Sequence, residues 1–212
     1  MQTITVGSNS YGLVAMPSTP APAAIEFEMS DTVASVVNPF TQQQQTQYWG
    51  GGEMWRAKVT LPPMHGADAA PWKAFLAELG GMQQVLQLGD PDATAPLGSG
   101  AGMPVVAGTN NAMATTLTTS GWTASQNGVL LPGDYFQIGY RLYMVVGAAV
   151  NSDASGDATI SLWPSLRESP AAGAALILKS AAGLFRLAAN QRGWQASPRR
   201  ATTISINVEE VR

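Results

Sequence analysis

The sequence contains no cysteine and very little charge. The absence of cysteine excludes disulfide frameworks, thiolate metal sites and cysteine nucleophiles. Charged residues make up 12% of the 212 residues, against roughly 25% in an average soluble domain. Because surfaces with little charge tend to associate, we expect subunits that cover part of their surface with one another.

Basic clusters and long apolar segments are also missing. The net charge is −3 and the one run of Lys or Arg is Arg199-Arg200, so the chain has no basic footprint for nucleic acid or an anionic membrane. The first 16 residues have no positively charged segment followed by an apolar one, and the longest apolar run, 142–150, is about half of a membrane span. We expect a soluble, unsecreted chain with no membrane insertion and no sequence-specific nucleic acid partner.

What the sequence does contain is a series of short strand patterns. Residues 24–29 and 54–61 alternate apolar and polar side chains, which is typical of half-buried strands. Residues 32–37 form a β-branched run. Further short patterns, separated by turn residues, lie at 85–88, 135–138, 141–150, 157–163, 175–178, 184–187 and 203–208. This spacing indicates a sandwich or a small barrel.

One segment has helical periodicity and should form a helix near 69–79. Its apolar side chains at helical spacing are Trp72, Phe75, Leu76 and Leu79. Asp68 is placed to cap the helix and Gly80-Gly81 to end it.

The predicted fold class is therefore mainly β. We expect a β-sandwich with this one helix, plus a smaller β-barrel-like module. The sandwich is placed in residues 1–92 together with 188–212, and residues 93–187 are assigned to a loop-rich insertion and the barrel-like module, because a stretch rich in Gly, Pro and Ala begins after residue 89.

A glutamine-rich segment lies between the first strand patterns. Residues 41–47 carry five glutamines and no hydrophobic period, which predicts a loop. Aromatic and arginine side chains follow it, and these types are enriched at interface hot spots. The candidate interface residues are Gln43, Gln45, Tyr48, Trp49 and Arg56. Of the two tryptophans here, Trp49 is the better interface candidate and Trp55 the better core candidate.

Residues able to carry out chemistry form no complete site. His65 is the only histidine, so a zinc site or a catalytic triad lacks its usual parts. Asp153, Ser155 and Asp157 resemble the start of an EF-hand loop, but Leu162 occupies the position of the required Glu, which favours a β-hairpin turn. We predict no enzyme activity and no catalytic, cofactor-binding or metal-binding residues.

Two sets of motifs together resemble the distal tail or tail-tip proteins of long-tailed, siphovirus-like bacteriophages. The first set is Asn38-Pro39-Phe40-Thr41 with the glutamines and Trp49, then WRAKVTLPPM at 55–64, WKAFLAEL at 72–79 and LGDP at 88–91. The second set is PGDYFQIG at 132–139, ASGDA at 154–158, LWPSLR at 162–167 and GLFRL at 183–187. They cover most of the chain in the same order as in that family.

The resemblance implies a structural subunit of the virion, made in the host cytoplasm and placed at the tail tip. Such subunits form a ring, usually hexameric, that joins the tail tube to the hub and to receptor-binding or fibre proteins. The implied fold is a tail-tube-like β-sandwich with a helix and a peripheral barrel-like domain. The family supplies no catalytic residues and no cofactor.

Two alternative functions remain open at this point. The chain could be a tail tube subunit or another minor tail protein with the same folds at a different position. It could also be a carbohydrate-binding β-module on the tail tip, with exposed aromatic side chains such as Trp49 and Trp122 forming a platform for sugars.

Overall fold

A computed structural model of the chain describes residues 2–198 and 201–212, so the Arg199-Arg200 run lies outside the described residues. Strands account for 42% of the chain and one helix for 7%, which confirms the prediction of a mainly β protein with one helix. Within the described ranges, no helix is both long enough and apolar enough to cross a membrane.

The elements follow one another in short steps. The strands are β1 (Gln2–Val6), β2 (Asn9–Leu13), β3 (Ala24–Ser30), β4 (Val33–Val37), β5 (Gln44–Tyr48), β6 (Met54–Thr60), β7 (Met64–His65), β8 (Leu86–Leu88), β9 (Gly102–Val106), β10 (Thr116–Trp122), β11 (Tyr135–Ile138), β12 (Arg141–Val145), β13 (Ala158–Trp163), β14 (Leu176–Ile177), β15 (Gly183–Leu187), β16 (Gln195–Ala196), β17 (Ala201–Thr203) and β18 (Ser205–Glu210). The helix is α1 (Gly66–Leu79).

The first module is built on a five-stranded antiparallel sheet with the order β3-β6-β18-β15-β8. Strand β6 alternates as predicted: Trp55, Ala57 and Val59 are buried, whereas Arg56 and Lys58 point to solvent. The buried side chains share one core with the apolar face of α1. The sheet therefore has one face in the core and one polar face, which is why its strands were readable from the sequence.

The helix begins at Gly66, earlier than expected. His65, not Asp68, takes the N-cap position, and its side chain makes no capping hydrogen bond. Asp68 lies in the first turn, where a carboxylate interacts favourably with the helix dipole. Gly80 ends the helix with a left-handed φ of 61°, as predicted, and the four apolar side chains of the predicted face are all buried.

The second module is a nearly closed six-stranded sheet with the order β14-β11-β12-β13-β10-β9. The two ends approach each other where the Val106 N–H donates to the Ala174 carbonyl and the Gly173 N–H donates to the Val106 carbonyl, both at 2.8 Å. Strands β9 and β10 approach so closely that a Cβ on Gly102 would lie 2.5 Å from a backbone oxygen of β10. The interior is filled by a separate apolar cluster.

Strand β15, which the expected boundary at 187 placed in the second module, lies in the five-stranded sheet instead. It pairs with β18 on one side and β8 on the other, and its Phe185 and Leu187 belong to the core that contains α1. The chain leaves the barrel before residue 183, because these apolar side chains complete the first core and not the barrel interior.

The prediction of a loop at 41–47 was wrong for its second half, since Gln44–Tyr48 is strand β5. It pairs with β4 in an antiparallel hairpin. No hydrophobic period marks the strand because neither of its faces is buried. The expected strand at 141–150 ends at Val145, and Gly147 follows with a φ of 80°. The hairpin β1–β2 was not predicted.

Candidate functional site

The most unusual surface feature is the projecting hairpin β4–β5. Its register pairs Val33 with Tyr48 at the base and Val37 with Gln44 near the tip. Every residue of both strands is exposed, and in the described residues neither strand pairs with any third strand. The hairpin therefore extends from the body of the molecule with two unpaired backbone edges.

The tip of the hairpin is shaped by Asn38. Its side-chain oxygen accepts the N–H groups of Phe40 at 2.9 Å and Thr41 at 3.2 Å, which is an Asx turn. The chain then passes through Gln42, whose φ is 57°, before the Asn38 N–H donates to the Gln43 carbonyl at 2.8 Å. The turn is thus fixed by local hydrogen bonds.

The hairpin carries apolar surface and no charge. Residues 32–52 include no Asp, Glu, Lys or Arg, and exposed apolar side chains occupy the strands and the tip: Val33, Val36, Val37, Phe40, Tyr48 and Trp49. Phe40 is 93% exposed and Val36 is 70% exposed. Proteins usually protect exposed strand edges with charges, proline or bulges. Both strands of this hairpin lack such protection.

The base of the hairpin is tied to the body of the molecule. The Tyr48 hydroxyl donates to Glu53 Oε1, and Glu53 Oε2 accepts the Ser165 hydroxyl at 2.9 Å. On the other strand's side, the Trp163 indole N–H donates to the Asp31 carboxylate at 2.9 Å. Ser165 and Trp163 come from the barrel, so both modules hold the hairpin at its root.

Glu53 also belongs to a buried ion cluster between the modules, formed by Glu53, Arg167 and Glu210 and here named the arginine clamp. Arg167 donates from Nε and Nη2 to the two oxygens of Glu210, at 3.0 and 2.6 Å, in the forked geometry that guanidinium and carboxylate groups favour. Its Nη1 lies 4.0 Å from Glu53 Oε2. The three side chains are 6%, 4% and 1% exposed for Arg167, Glu210 and Glu53.

The predicted interface residues fall into two groups. Gln43, Gln45, Tyr48 and Trp49 all lie on the hairpin or at its root and are exposed. Arg56 does not join them, because it lies on the solvent face of β6, between Glu28 and Glu209 in register. Sequence reasoning missed the apolar members Val36 and Phe40. The signal that could have found them is the long stretch without charge.

Trp55 is a core residue, as predicted. It is 1% exposed, donates its indole N–H to the Leu142 carbonyl at 3.1 Å, and packs edge-on against Trp163 with ring centroids 4.5 Å apart. It therefore stabilises the joint between the two modules.

Trp122 does not contribute to a sugar platform. The indole is 5% exposed, lies in the barrel interior, and donates its N–H to Thr119 Oγ1 at 2.8 Å. A register shift between Ser120 and Trp122 breaks the alternation of β10 and turns Trp122 inward together with Leu117 and Thr119. The expected pairing of Trp49 with Trp122 on one aromatic surface is therefore wrong.

The loop containing Asp153 is an Asx turn. The Asp153 carboxylate accepts the N–H groups of Ser155 at 2.7 Å and Asp157 at 2.9 Å. These hydrogen bonds, the one from the Asp157 N–H more than the one from the Ser155 N–H, lower the pKa of the Asp153 carboxyl because they stabilise its charged form. In the part of the chain that the structure describes, no three His, Asp or Glu side chains are grouped so that they could hold a metal ion.

No protein-family model matches the sequence, and no curated protein is significantly similar to it.

Proposed function

We propose that the chain is a structural subunit that associates with copies of itself into a ring, through the hairpin β4–β5. The observation that carries the proposal is an exposed, uncharged hairpin whose two edges are unpaired and whose root is held by both modules. An isolated two-stranded hairpin is at best marginally stable in water, so burial against a neighbour stabilises it. A head-to-tail contact repeated between identical subunits closes into a symmetric ring when its rotation divides a full turn.

The chain also offers an acceptor for a neighbour's hairpin. Strand β3 ends the five-stranded sheet, and among the described strands it pairs only with β6. Its other edge has the backbone groups that a strand of a second copy would need. The exposed Met29 on β3 adds apolar surface next to that edge.

The place of the ring in a phage tail tip is supported by the sequence motifs. Their resemblance to distal tail proteins assigns to the ring the joining of the tail tube to the hub and to receptor-binding or fibre proteins. In this function the chain works by shape and contact and is not an enzyme.

Solution mass by light scattering, with negative-stain imaging of the same sample, tests the proposal. We expect the wild-type chain to form closed rings and the Val36→Asp variant to remain monomeric, because a buried unpaired carboxylate opposes association. The matched control is Met103→Asp, which adds the same charge at an exposed apolar strand position on β9, outside the hairpin; Met103 is 87% exposed and Val36 is 70% exposed. Met103→Asp should form rings like the wild type.

The images also separate the proposal from its alternatives. Long stacks of rings would indicate a tail tube subunit. A wild-type chain that stays monomeric at every concentration tested, with no difference between the two variants, would contradict self-association and favour the carbohydrate-binding module, with Trp49 as its remaining exposed aromatic candidate.

A further inference from the structure

A shallow groove, here named the Trp194 groove, lies on the side of α1. It has a volume of about 750 Å³ and is lined on one side by Lys73, Leu76 and Ala77 of the helix, and on the other by residues 190–194. Asn190 fastens this loop to the helix end, because its Oδ1 accepts the Met82 N–H at 3.2 Å. The groove is distinct from the hairpin β4–β5.

The groove presents an aromatic ring and two cations. Trp194 is 51% exposed, and the Lys73 ammonium lies 4.9 Å from the centre of its ring, within the range of a cation–π contact. Arg192 is exposed and donates from Nη1 to the Asn190 carbonyl at 3.2 Å. Among the described residues, the ion pairs involve neither Lys73 nor Arg192. Both cations are therefore available to a ligand.

The stretch of sequence that contains the groove loop 190–194 has no acidic residue. The net charge is −3, but residues 169–208 contain no Asp or Glu. The same stretch holds five of the 11 Lys and Arg residues: Lys179, Arg186, Arg192, Arg199 and Arg200. The loop that lines the groove therefore contributes a cation, Arg192, and no carboxylate of its own.

We infer that the Trp194 groove binds an acidic segment of a partner protein. Carboxylates match the guanidinium of Arg192 in geometry, and Lys73 supplies a second charge. Nucleic acid fits less well, since the cation of Lys73 covers one face of Trp194 on which a base would stack. An apolar side chain of the partner can pack against the exposed part of the Trp194 indole.

The test measures binding of a fluorescein-labelled octaglutamate peptide to the full chain by fluorescence anisotropy at low salt. We expect Trp194→Ala and Arg192→Ala each to weaken binding about threefold, and the combination of Lys73→Ala with Arg192→Ala about tenfold, as exposed cation contacts do. Raising the salt concentration should weaken binding further.

Two controls match these variants. Trp49→Ala removes a tryptophan with nearly the same exposure, 52%, outside the groove. Lys179→Ala removes an exposed cation from the same acid-free stretch but away from the groove lining. Both should bind octaglutamate like the wild type, and unchanged thermal unfolding of all variants shows that the fold is intact.

Three results would overturn the inference. The first is a wild-type chain that does not bind octaglutamate. The second is binding that the groove variants leave unchanged. The third is tighter binding of labelled octathymidylate than of octaglutamate, lost in the same groove variants, which would assign the groove to single-stranded nucleic acid.

Discussion

Replacing Arg167 by Ala should strongly destabilise the protein. The arginine clamp places one guanidinium between two carboxylates that are at most 4% exposed. Arg167→Ala leaves both buried carboxylates without the guanidinium that pairs with them, and only the more distant charge of Arg212, which donates to the Glu53 carbonyl at 2.6 Å, still interacts with them. Removal of one partner from a buried ion pair costs about 3–5 kcal/mol of unfolding free energy. The clamp also joins the barrel to the five-stranded sheet, at the joint that the apolar contacts of Trp55 stabilise as well.

Urea unfolding followed by tryptophan fluorescence measures the effect. The matched control is Lys58→Ala, which breaks an ion pair with Glu26 at 3.8 Å whose side chains are 50% and 62% exposed, and exposed pairs contribute only about 0–1 kcal/mol. Adding Glu53→Gln to Arg167→Ala should restore part of the loss, because one uncompensated charge is removed. A loss below about 1 kcal/mol in Arg167→Ala, equal to that of Lys58→Ala, would refute the assignment of the clamp as a stabilising joint.

Two further predictions concern buried polar groups of the barrel. Burial raises the pKa of Tyr143 from 10.0 to about 12, so the phenol ionises at lower pH in the unfolded chain than in the folded one. The free energy of unfolding should therefore fall between about pH 10 and 12, by up to about 3 kcal/mol. In urea unfolding at several pH values, Tyr143→Phe should lose less stability over this interval, and a pH dependence identical to that of the wild type would contradict the reasoning. Asp134 is 3% exposed and its carboxylate accepts three backbone N–H groups, at 2.6, 3.0 and 2.7 Å. Asp134→Asn should therefore lower the free energy of unfolding by about 1–3 kcal/mol, which is more than the loss in Asp153→Asn at the exposed Asx turn. Equal losses in the two variants would argue against a structural role for the Asp134 carboxylate.

The elements that the sequence predicted well are those with one buried face. Strands β3 and β6 and helix α1 alternate with the period of their own geometry, since one side meets a core and the other meets water. Strand β10 was missed, because the buried polar Thr119 and the exposed Gly121, which lies at a register shift, interrupt its apolar pattern. The Thr119 hydroxyl donates to the distant Ala158 carbonyl, at 2.8 Å. Such a partner, 39 residues away, leaves no local mark in the sequence.

The sequence predicts where the candidate site lies but not that it is a β-hairpin. The glutamines and Trp49 predict an interface at residues 43–49. A strand that is exposed on both faces has no hydrophobic period, so the sequence predicts a loop where the structure has β5. The arginine clamp could not have been found in the same way. Glu53 and Arg167 are 114 residues apart, and Arg167 and Glu210 are 43 apart. Only the antiparallel pairing of distant strands brings them together.

Charge is scarce on the surface of this fold. Five of the 25 charged side chains lie in the interior or between the modules, Glu53, Asp134, Arg141, Arg167 and Glu210. The other 20 are spread over the rest of the chain. What charge remains is uneven, since the hairpin β4–β5 has none while the Trp194 groove carries two cations. An uncharged surface with open strand edges favours copies of the same chain, and a basic groove favours a different, acidic partner. The two surfaces thus differ in chemistry as well as position, so the ring assay and the peptide assay report on them separately.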